Sequence, residues 1–459
     1  MSELPTWARD ALAGVYDPCC REKGISVVDM GLVRSVQVTG GVARVELLLT
    51  SGWCPFAATV LTQVKDQIAG QPGIRDADVS IVWDEAWTTD RLSSRARDIL
   101  RFLPDPAAVP DRDAYIDAHL REKRLSGMID DAFVFDCVAH VFNFDPKNAF
   151  GQAGLMFDNH LYAFHNALTP DDQPKLPPEE FLRQWTPSDI RKMVFEESDT
   201  DMLVAMPLPL TDLFRDGLSP WETCADLASR DPNRTVFWGS VNPLEGRKAL
   251  DEMERQVGEF GARAFKFYNV RYDFGSPYPW RMDDPKVAFP IFEKARDLGV
   301  NLIGVHKGVP LGPQPIEHTQ TWDMDGAAAN FPDINFVIFH VGLPFLDETC
   351  WQLIRYPNLY ASIAATVNFV VRAPRMFAEI IGKLLFWCGE DKIIYGSEAP
   401  LWHPQWALRA FMDFQIPEDL CAGYGYPQLT PQAKRKILGE NLLRLHGLDL
   451  EEAKARTSR

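Results

Sequence analysis

The sequence has no long apolar run and no excess of positive charge, and each absence argues against a class of function. No stretch approaches the ~18 continuous apolar residues that a membrane-spanning helix requires. The first residues, MSELPTWARDAL, include two acidic side chains and lack the apolar core of a signal peptide. The 64 acidic and 47 basic residues give a formal net charge of -17, which disfavours binding to nucleic acid or to anionic membranes. We therefore expect a cytoplasmic protein whose partners are small molecules or other proteins.

The sequence also lacks a recognisable cysteine motif of a disulfide framework or metal site. Its eight cysteines are scattered through 459 residues without a CxxC pair, and in a chain of this length that pattern indicates reduced thiols rather than a disulfide framework. The length and the 46% of hydrophobic residues suit two domains with sizeable cores.

A proline-rich stretch, LPDPAAVPDRD at residues 103–113, separates two regions with different patterns. Its three prolines and four charged residues are typical of a linker. We therefore predict a first domain over residues 1–103, a linker over 104–130, a second domain over 131–449 and a C-terminal tail over 450–459.

The first domain has the pattern of a small α+β fold. Apolar and polar residues alternate on both sides of Gly40-Gly41, which predicts a β-hairpin. An amphipathic helix is predicted from Pro55 to Ala69, and a strand follows at ADVSIVW, residues 77–83.

The second domain alternates short apolar strands with helical stretches. Strands that are apolar on both faces are typical of parallel sheets, and eight of them separated by helices predict an α/β fold, the closed (β/α)8 TIM barrel. No GxGxxG follows the first strand, which disfavours an open dinucleotide-binding sheet. Residues 142–200 form a long insertion after that strand, which we interpret as a lid. The strands are predicted at residues 132–140, 201–206, 235–241, 262–268, 301–306, 335–340, 359–364 and 392–398.

Polar residues end several of these apolar strands. His140, His306 and His340 each end a strand. Glu398 ends the last strand, and Lys266 lies near the end of the fourth. Because the chemistry of a TIM barrel lies at the C-terminal ends of its strands, these residues form the candidate site.

Two imidazoles and a carboxylate are a ligand set for one divalent ion with open positions. We assign His140, His306 and Glu398 as the metal ligands. The set serves zinc in hydrolases and non-haem iron in enzymes that activate oxygen, so zinc is favoured and iron or manganese are the alternatives. A metal-bound water can act as a nucleophile at neutral pH, and we assign His340 as the catalytic residue that moves protons to or from it.

Three further residues of the second domain are weaker candidates for the site. Lys266 is either a carboxylated, metal-bridging lysine or a salt-bridge partner. Asp136 either orients a metal ligand or caps a strand end. His403, five residues after Glu398, is the loop histidine best placed to take part.

The segments around these residues follow the order of a known family. The second domain resembles amidohydrolase family 2, the branch of the amidohydrolase superfamily related to aminocarboxymuconate-semialdehyde decarboxylase. The resemblance covers about residues 130–449 and implies a distorted TIM barrel of amidohydrolase type with a metal at its mouth and at least a dimeric assembly. The segments that carry it are FDCVAH (135–140), GVHKG (304–308), FPDINFVIFHVG (331–342), YPNLYASI (356–363), GEDKIIYGSEAP (389–400) and KILGENLLRLHGL (436–448).

The sequence departs from that family at two ligand positions. The family carries Asp-x-His-x-His on its first strand and an aspartate in the strand-eight motif Gly-Ser-Asp. By resemblance His140 is the second strand-one ligand, Val138 stands where the first should be, and Glu398 replaces the aspartate. If the register of the strand is shifted, His140 is instead the first ligand, and Phe142 stands where the second histidine should be. One ligand is lost either way, so we expect weaker metal binding.

The first domain resembles a second family, the PaaD/SufT-type domain connected with iron-sulfur cluster maturation. The resemblance spans about residues 8–102 and is carried by VYDPCC, VVDMGLVRSV, TSGWCPFA and WDEAWTTDRLSSRAR. In it Cys54 precedes a helix, whose N-terminal amides favour a thiolate suited to metal transfer or ligation. A buried loop thiol is the alternative for Cys54, and Cys19 replaces the family's usual glutamate.

Three hypotheses for function follow. The first is a metal-dependent hydrolase or nonoxidative decarboxylase that acts on a small carboxylate or amide. The second is a subunit of a heteromeric iron- or manganese-dependent monooxygenase that hydroxylates a small amino acid or amine such as 2-aminoisobutyrate. In that case the chain pairs with a homologous, amidohydrolase-like catalytic subunit, whereas the first hypothesis is compatible with a homo-oligomer. The third is a structural role without a metal.

Overall fold

The computed structural model describes residues 4–18, 20–50, 56–82, 84–85, 87–100, 132–269, 279–312 and 314–457. These residues fall into two compact units, one on each side of residues 101–131. The predicted linker over 104–130 and the candidate residue Cys54, together with Cys19, lie outside the described residues.

The N-terminal unit is a three-stranded sheet with helices. Strands β1 (Val33–Thr39) and β2 (Val42–Leu47) pair antiparallel about Gly40-Gly41, and β3 (Asp76–Ile81) pairs parallel to β2. The helix Ala57–Ala69 buries Val60, Val64 and Ile68, which recur every four residues on one face. The predicted hairpin, helix and strand are therefore present. The other helices of this unit are Thr6–Leu12 and Ser94–Leu100, with short 3-10 turns at Arg21–Lys23 and Thr89–Arg91.

The C-terminal unit is a barrel of eight parallel strands, which confirms the predicted (β/α)8 fold. Neighbours in sequence are neighbours in the sheet from β4 to β11. Two backbone hydrogen bonds join the first strand to the last segment, from Cys137 N to Tyr395 O at 3.1 Å and from His140 N to Ala399 O at 2.8 Å. The strands are β4 (Phe135–Ala139), β5 (Met202–Ala205), β6 (Thr235–Gly239), β7 (Ala264–Phe267), β8 (Leu302–Val305), β9 (Asn335–Ile338), β10 (Leu359–Ser362) and β11 (Ile393–Ile394).

Helices follow the strands and cover the outside of the sheet. Two of them continue through π-helical turns, at Lys192–Glu196 and Lys436–Glu440. No helix among the described residues has the length and apolar character needed to cross a lipid bilayer. The helices are Gly151–Leu168, Pro178–Phe181, Pro187–Arg191, Trp221–Arg230, Arg247–Gly258, Ala288–Asp297, Met324–Asn330, Leu346–Arg355, Phe369–Arg372, Pro374–Cys388, Pro404–Asp413, Glu418–Tyr424, Pro431–Arg435, Asn441–Leu445 and Leu450–Thr457.

Large side chains fill the interior of the barrel beneath its C-terminal end. Trp238 and Phe339 meet edge to face, with their ring centroids 6.1 Å apart. A Cβ at Gly304 would lie 2.7 Å from Phe339, 2.8 Å from Trp238 and 3.0 Å from Lys266, so only glycine fits between them. This packing brings the Lys266 side chain into the interior, below the residues that follow the strands.

Candidate active site

One pocket at the C-terminal ends of the barrel strands contains the four polar residues that were predicted to end strands. His140, His306, His340 and Glu398 all line it, and its cavity volume is about 40 Å³. A cavity of this size accommodates a few waters or a small ligand. The remaining lining residues are mostly apolar, namely Phe142, Phe157, Leu161, Phe164, Leu208, Leu210, Tyr268, Val309, Leu311, Ala365, Leu401 and Trp402.

The tautomer of His140 is set by the backbone after β5. His140 Nδ1 lies 2.7 Å from the carbonyl oxygen of Met206, so Nδ1–H donates to it. In the neutral ring the remaining nitrogen, Nε2, then carries only a lone pair. That lone pair faces Oε1 of Glu398 at 3.3 Å. Two acceptor atoms are thus in contact unless His140 is protonated or a cation lies between them.

His340 and His306 form a second pair. His340 Nδ1 donates to the carbonyl oxygen of Ala364 at 3.0 Å, which leaves Nε2 as an acceptor for His306 Nδ1–H at 3.1 Å. Burial lowers the pKa of His306 well below its usual range and also lowers the pKa of His340, although Glu398 opposes the second shift. Both rings are therefore neutral at pH 7, as metal ligands and proton acceptors must be.

Glu398 connects the two pairs. Its Oε1 faces His140, and its Oε2 lies 3.9 Å from His340 Nδ1. Oε2 is buried and has no hydrogen-bond partner in the part of the chain that the structure describes. Burial acts to raise the pKa of Glu398, but the positive charge that protonation places on His340 or His140, together with a hydrogen bond from protonated His140, outweighs burial and lowers it. The site thus contains an ionised carboxylate with one oxygen unsatisfied.

The backbone at two of these residues is in the left-handed region. His340 has φ of 58° and Glu398 has φ of 68°. Positive φ is uncommon outside glycine and costs roughly 1–3 kcal/mol, so it persists only where the surroundings enforce it. Both residues come just after their strands, β9 and β11, and the turn directs each side chain into the pocket.

The donor chemistry of this pocket fits a divalent cation. A cation between His140 Nε2 and Glu398 would remove the contact between two acceptors, and Oε2 supplies a further free oxygen. A histidine whose other nitrogen donates to a backbone carbonyl is the usual form of a metal-binding histidine. Among residues 132–269, 279–312 and 314–457, however, no three His, Cys, Asp or Glu side chains have the spacing of a formed metal centre.

Apolar side chains occupy the two positions where the family pattern would place another histidine. Val138 is 1% exposed and packs in the barrel interior. Phe142 lies after β4, lines the pocket and stacks on the His140 ring with the centroids 5.3 Å apart. Neither register of the first strand therefore supplies a second imidazole, and the Phe142 ring fixes the orientation of the one that is present.

Lys266 lies beneath the pocket rather than in its lining. Its side chain is 1% exposed, and Nζ lies 4.2 Å from the centroid of the Tyr268 ring and 4.0 Å from that of Phe339. Burial lowers the pKa of this lysine to about 7, although Glu398 acts in the opposite direction. The faces of the two aromatic rings stabilise the protonated form of Lys266 through cation–π contacts.

Asp136 holds the last segment of the barrel against the first strand. Its Oδ1 accepts hydrogen bonds from Val138 N at 3.1 Å and from Ser397 N at 2.9 Å. Its Oδ2 is buried and has no hydrogen-bond partner in the described ranges. Because Ser397 immediately precedes Glu398, this carboxyl positions the backbone from which Glu398 reaches the pocket.

His403 does not line the pocket. It precedes the helix Pro404–Asp413, where its Nδ1 accepts from Gln405 N at 3.3 Å and its Nε2 lies 3.3 Å from Glu197 Oε2. A different histidine, His165 in the insertion helix Gly151–Leu168, donates through Nδ1 to Leu401 O at 2.8 Å. That bond fixes the insertion to the loop after Glu398 and so holds Phe157 and Leu161 over the pocket.

Sequence reasoning missed the aromatic walls of the site. Tyr268 stacks against His306 with the ring centroids 5.4 Å apart, and Trp402 lines the pocket four residues after Glu398. The only available signal was position, since Tyr268 follows β7 directly. Aromatic residues near strand ends are common in barrels, so the pattern did not distinguish these two from residues of the core.

Comparison with known proteins identifies both units. The family model described as amidohydrolase matches residues 135–448, and the model described as iron-sulfur cluster assembly protein matches residues 8–81. The Fe-S protein maturation auxiliary factor SufT of Staphylococcus aureus is 43% identical over 84 residues, which are 18% of this chain and 92% of that protein. The auxiliary factor YitW of Bacillus subtilis is 38% identical over 88 residues, 19% of this chain and 83% of that protein.

Solved structures also resemble the chain. An uncharacterised TIM-barrel protein from Bordetella bronchiseptica is 19% identical, covers 71% of this chain and 99% of its own, and has a TM-score of 0.47. A dihydroxybenzoic acid decarboxylase from a Polaromonas species, determined with bound manganese, is 15% identical, covers 70% of this chain and 99% of its own, and has a TM-score of 0.43. These scores are too low to transfer a substrate or a metal to this chain.

Proposed function

The chain belongs to the amidohydrolase family through residues 135–448 and to the iron-sulfur cluster assembly family through residues 8–81, and on this basis we propose that it is a metal-dependent enzyme of the amidohydrolase superfamily. The reaction we propose is hydrolysis or nonoxidative decarboxylation of a small carboxylate or amide. The mostly apolar lining and the cavity of about 40 Å³ favour a compact substrate.

We assign His140, His306 and Glu398 as the side chains that hold one divalent ion, with zinc favoured and iron or manganese as the alternatives. When bound, such an ion supplies Lewis acidity and lowers the pKa of a coordinated water. With two neutral imidazoles and one carboxylate from the protein, several positions remain open to water and substrate. The apolar substitution at Val138 or Phe142 removes one ligand, so the ion is expected to be held less tightly than with a complete set.

His340 is the proposed catalytic acid/base. Its Nδ1–H is anchored on the carbonyl of Ala364, so Nε2, which accepts from His306 Nδ1–H at 3.1 Å, is the nitrogen that takes a proton when the His306 contact is released. Its lowered pKa keeps that nitrogen unprotonated at neutral pH, and the adjacent carboxylate of Glu398 stabilises the imidazolium that forms. The apolar lining around it limits the access of bulk water and strengthens these interactions.

The observation that carries this proposal is the contact between His140 and Glu398. The Met206 carbonyl commits the Nδ1–H of His140, so its Nε2 lone pair faces a carboxylate oxygen at 3.3 Å. An arrangement of two acceptors is unfavourable without a shared proton or cation. A cation bound here would also interact with Oε2 of Glu398, which has no hydrogen-bond partner among the described residues.

The test is metal analysis of the full chain, purified without chelators, by inductively coupled plasma mass spectrometry. The wild type should contain about one equivalent of a divalent metal. His140→Ala and Glu398→Ala should lose most of it, while His403→Ala, a change at a buried histidine outside the pocket, should retain it. Circular dichroism checks that each variant is folded. Equal metal content in wild type and His140→Ala would contradict the assignment.

The match of residues 8–81 to iron-sulfur cluster assembly proteins favours a second candidate function. An N-terminal domain that handles iron suits a subunit of an iron- or manganese-dependent monooxygenase, which hydroxylates a small amino acid or amine together with a homologous catalytic chain. Cys54, at the start of the predicted helix, is the residue we propose for iron transfer in that case.

Oxygen uptake separates the two candidates. The monooxygenase hypothesis predicts iron or manganese in the purified chain and oxygen consumption with 2-aminoisobutyrate only when a co-purified homologous chain is present. The hydrolase and decarboxylase hypothesis predicts zinc, or another divalent metal, and no oxygen consumption in either preparation. Oxygen consumption that depends on the homologous chain would exclude the hydrolase and decarboxylase hypothesis, and no oxygen consumption in either preparation would exclude the monooxygenase hypothesis.

A further inference from the structure

A second cavity lies in the insertion after β4, apart from the catalytic pocket. Its volume is about 260 Å³, compared with about 40 Å³ for the catalytic pocket. One wall is the segment 176–185, and the other is the helical stretch 187–197. In the described part of the chain, none of the residues that line this cavity lines the catalytic pocket. The second cavity is therefore a separate candidate for ligand binding.

Five charged side chains line the second cavity, and four of them form two ion pairs. Arg183 Nη1 lies 2.9 Å from Asp189 Oδ2, and Lys192 Nζ lies 3.2 Å from Glu197 Oε1. The fifth, Glu180, forms no ion pair with another described residue. Three carboxylates and two cations leave a surplus of one negative charge, and the net charge of -17 on the chain also disfavours an anionic ligand. A ligand with a single positive charge would balance the cavity.

The other lining residues of the second cavity are apolar, namely Leu176, Trp185 and Met193. Trp185 is 5% exposed, and the guanidinium carbon of Arg183 lies 4.3 Å from the centroid of its ring. This wall already has a cation against an aromatic face. Aromatic faces beside carboxylates are the surroundings that bind organic ammonium groups.

Glu197 connects the second cavity to the loop after Glu398. Glu197 is 1% exposed, and its Oε2 lies 3.3 Å from His403 Nε2. Because His403 Nδ1 accepts from Gln405 N at 3.3 Å, the proton of the neutral ring is on Nε2 and is donated to Glu197. His403 directly follows Trp402, which lines the catalytic pocket. A change at the Glu197 carboxylate can therefore reach a wall of the catalytic pocket.

Trp185 provides a second connection. Its backbone N–H donates to Phe142 O at 2.8 Å, and its Nε1–H donates to Phe181 O at 3.0 Å. Phe142 lines the catalytic pocket and stacks on the ring of His140. The two cavities are thus connected on both sides, through a backbone hydrogen bond and through the pair of Glu197 and His403.

We propose that the second cavity is a regulatory site for a small organic cation, a primary ammonium with an apolar body. The ammonium group binds the carboxylates of Glu180 and Glu197, and the apolar body packs against Trp185. Binding at Glu197 weakens the hydrogen bond from His403 and so displaces the adjacent Trp402 at the catalytic pocket. Two sites linked in this way influence each other's ligands reciprocally. Neither step requires a metal in the catalytic pocket.

The experiment follows binding of benzylammonium to the full chain by fluorine NMR, with fluorotryptophan in place of tryptophan. The Trp185→Phe and Trp402→Phe variants assign the two resonances that matter. Benzyl alcohol, which has a similar shape and no charge, is the control ligand, and the ionic strength is kept constant because salt screens charge interactions. The test variants are Glu180→Gln and Glu197→Gln, and Glu179→Gln, at an exposed residue of the same helix, is the matched control.

Benzylammonium should shift both resonances along one titration curve, with a Kd below ~1 mM and at least ~10-fold tighter than benzyl alcohol. Glu180→Gln and Glu197→Gln should each raise the Kd at least ~5-fold, whereas Glu179→Gln should leave it unchanged. Because Glu180 is exposed, its substitution tests the site even where a change at buried Glu197 prevents folding. In His403→Ala, the Trp185 resonance should still shift and the Trp402 resonance should not.

Three results would overturn the proposal. If the Trp185 resonance does not shift, the cation does not bind in the second cavity, and a shift of Trp402 alone would place it in the catalytic pocket. If Trp185 shifts and Trp402 does not follow in the wild type, the site has no regulatory connection through His403. Equal binding of benzyl alcohol would refute the assignment of a cation as the ligand.

Discussion

Substitution of Asp136 by asparagine should change how the stability of the protein depends on pH. Asp136 is fully buried, its Oδ1 accepts two backbone N–H groups, and its Oδ2 has no hydrogen-bond partner among the described residues. Burial raises the pKa of this carboxyl from 3.8 to about 7, an effect that outweighs the lowering by the hydrogen bonds from Ser397 and Val138. Asparagine keeps an oxygen for both N–H groups and cannot ionise.

The sign follows from the direction of this shift. A carboxyl whose pKa is higher in the folded than in the unfolded state binds its proton more tightly when folded, so the folded state loses stability as the pH rises. The loss begins near the unfolded value of 3.8 and levels off just above 7. At about 1.4 kcal/mol per pKa unit, a shift of about three units corresponds to at most ~4 kcal/mol in the free energy of unfolding.

The assay is urea unfolding of the chelator-treated full chain, followed by circular dichroism between about pH 4 and about pH 8. The stability of Asp136→Asn relative to wild type should rise through this window and then stay level. Asp297→Asn, at an exposed aspartate that ends the helix Ala288–Asp297, is the control and should run parallel to wild type. If the Asp136→Asn and wild-type curves also run parallel, the reasoning about this buried carboxyl is wrong.

Two further predictions concern buried charged groups. Lys307→Met should lower the free energy of unfolding by ~3–5 kcal/mol, because it leaves the buried carboxylate of Asp323 without the ammonium at 2.7 Å. Lys294→Met, which breaks an ion pair with the exposed Glu254, should cost ~0–1 kcal/mol, and equal losses for the two lysines in urea unfolding would contradict this account. Asp158→Asn should gain stability relative to wild type as the pH rises from 4 to 7, because burial raises the pKa of Asp158 from 3.8 to about 7, and thermal melts that shift equally in both proteins would refute it.

The apolar pattern was sufficient to predict the barrel and the position of each strand, but it extended the strands too far. Strand eight was predicted over 392–398, whereas β11 covers only Ile393–Ile394. The last predicted residues leave the sheet because the backbone turns into the left-handed region at His340 and Glu398. Periodicity reports which residues are buried, and His340 is buried like the strand before it, while Glu398 is only slightly exposed.

The sequence was sufficient to predict which residues of the candidate site are neighbours, because that depends on strand order. It was not sufficient to predict their hydrogen bonds to the backbone of other strands. Polar residues after parallel strands converge at one end of the barrel, so His140, His306, His340 and Glu398 were expected to be neighbours, and they line one pocket. The roles of the ring nitrogens depend on the carbonyls of Met206 and Ala364, whose side chains carry no signal. No sequence pattern specifies such contacts.

The most direct test of the central claim is X-ray diffraction from crystals of the metal-loaded chain, with data collected on both sides of the absorption edge of the metal found by elemental analysis. The account predicts one anomalous peak in the pocket, within coordination distance of His140 Nε2 and a Glu398 oxygen. No anomalous peak in the pocket, with His140 and Glu398 still in direct contact, would contradict it.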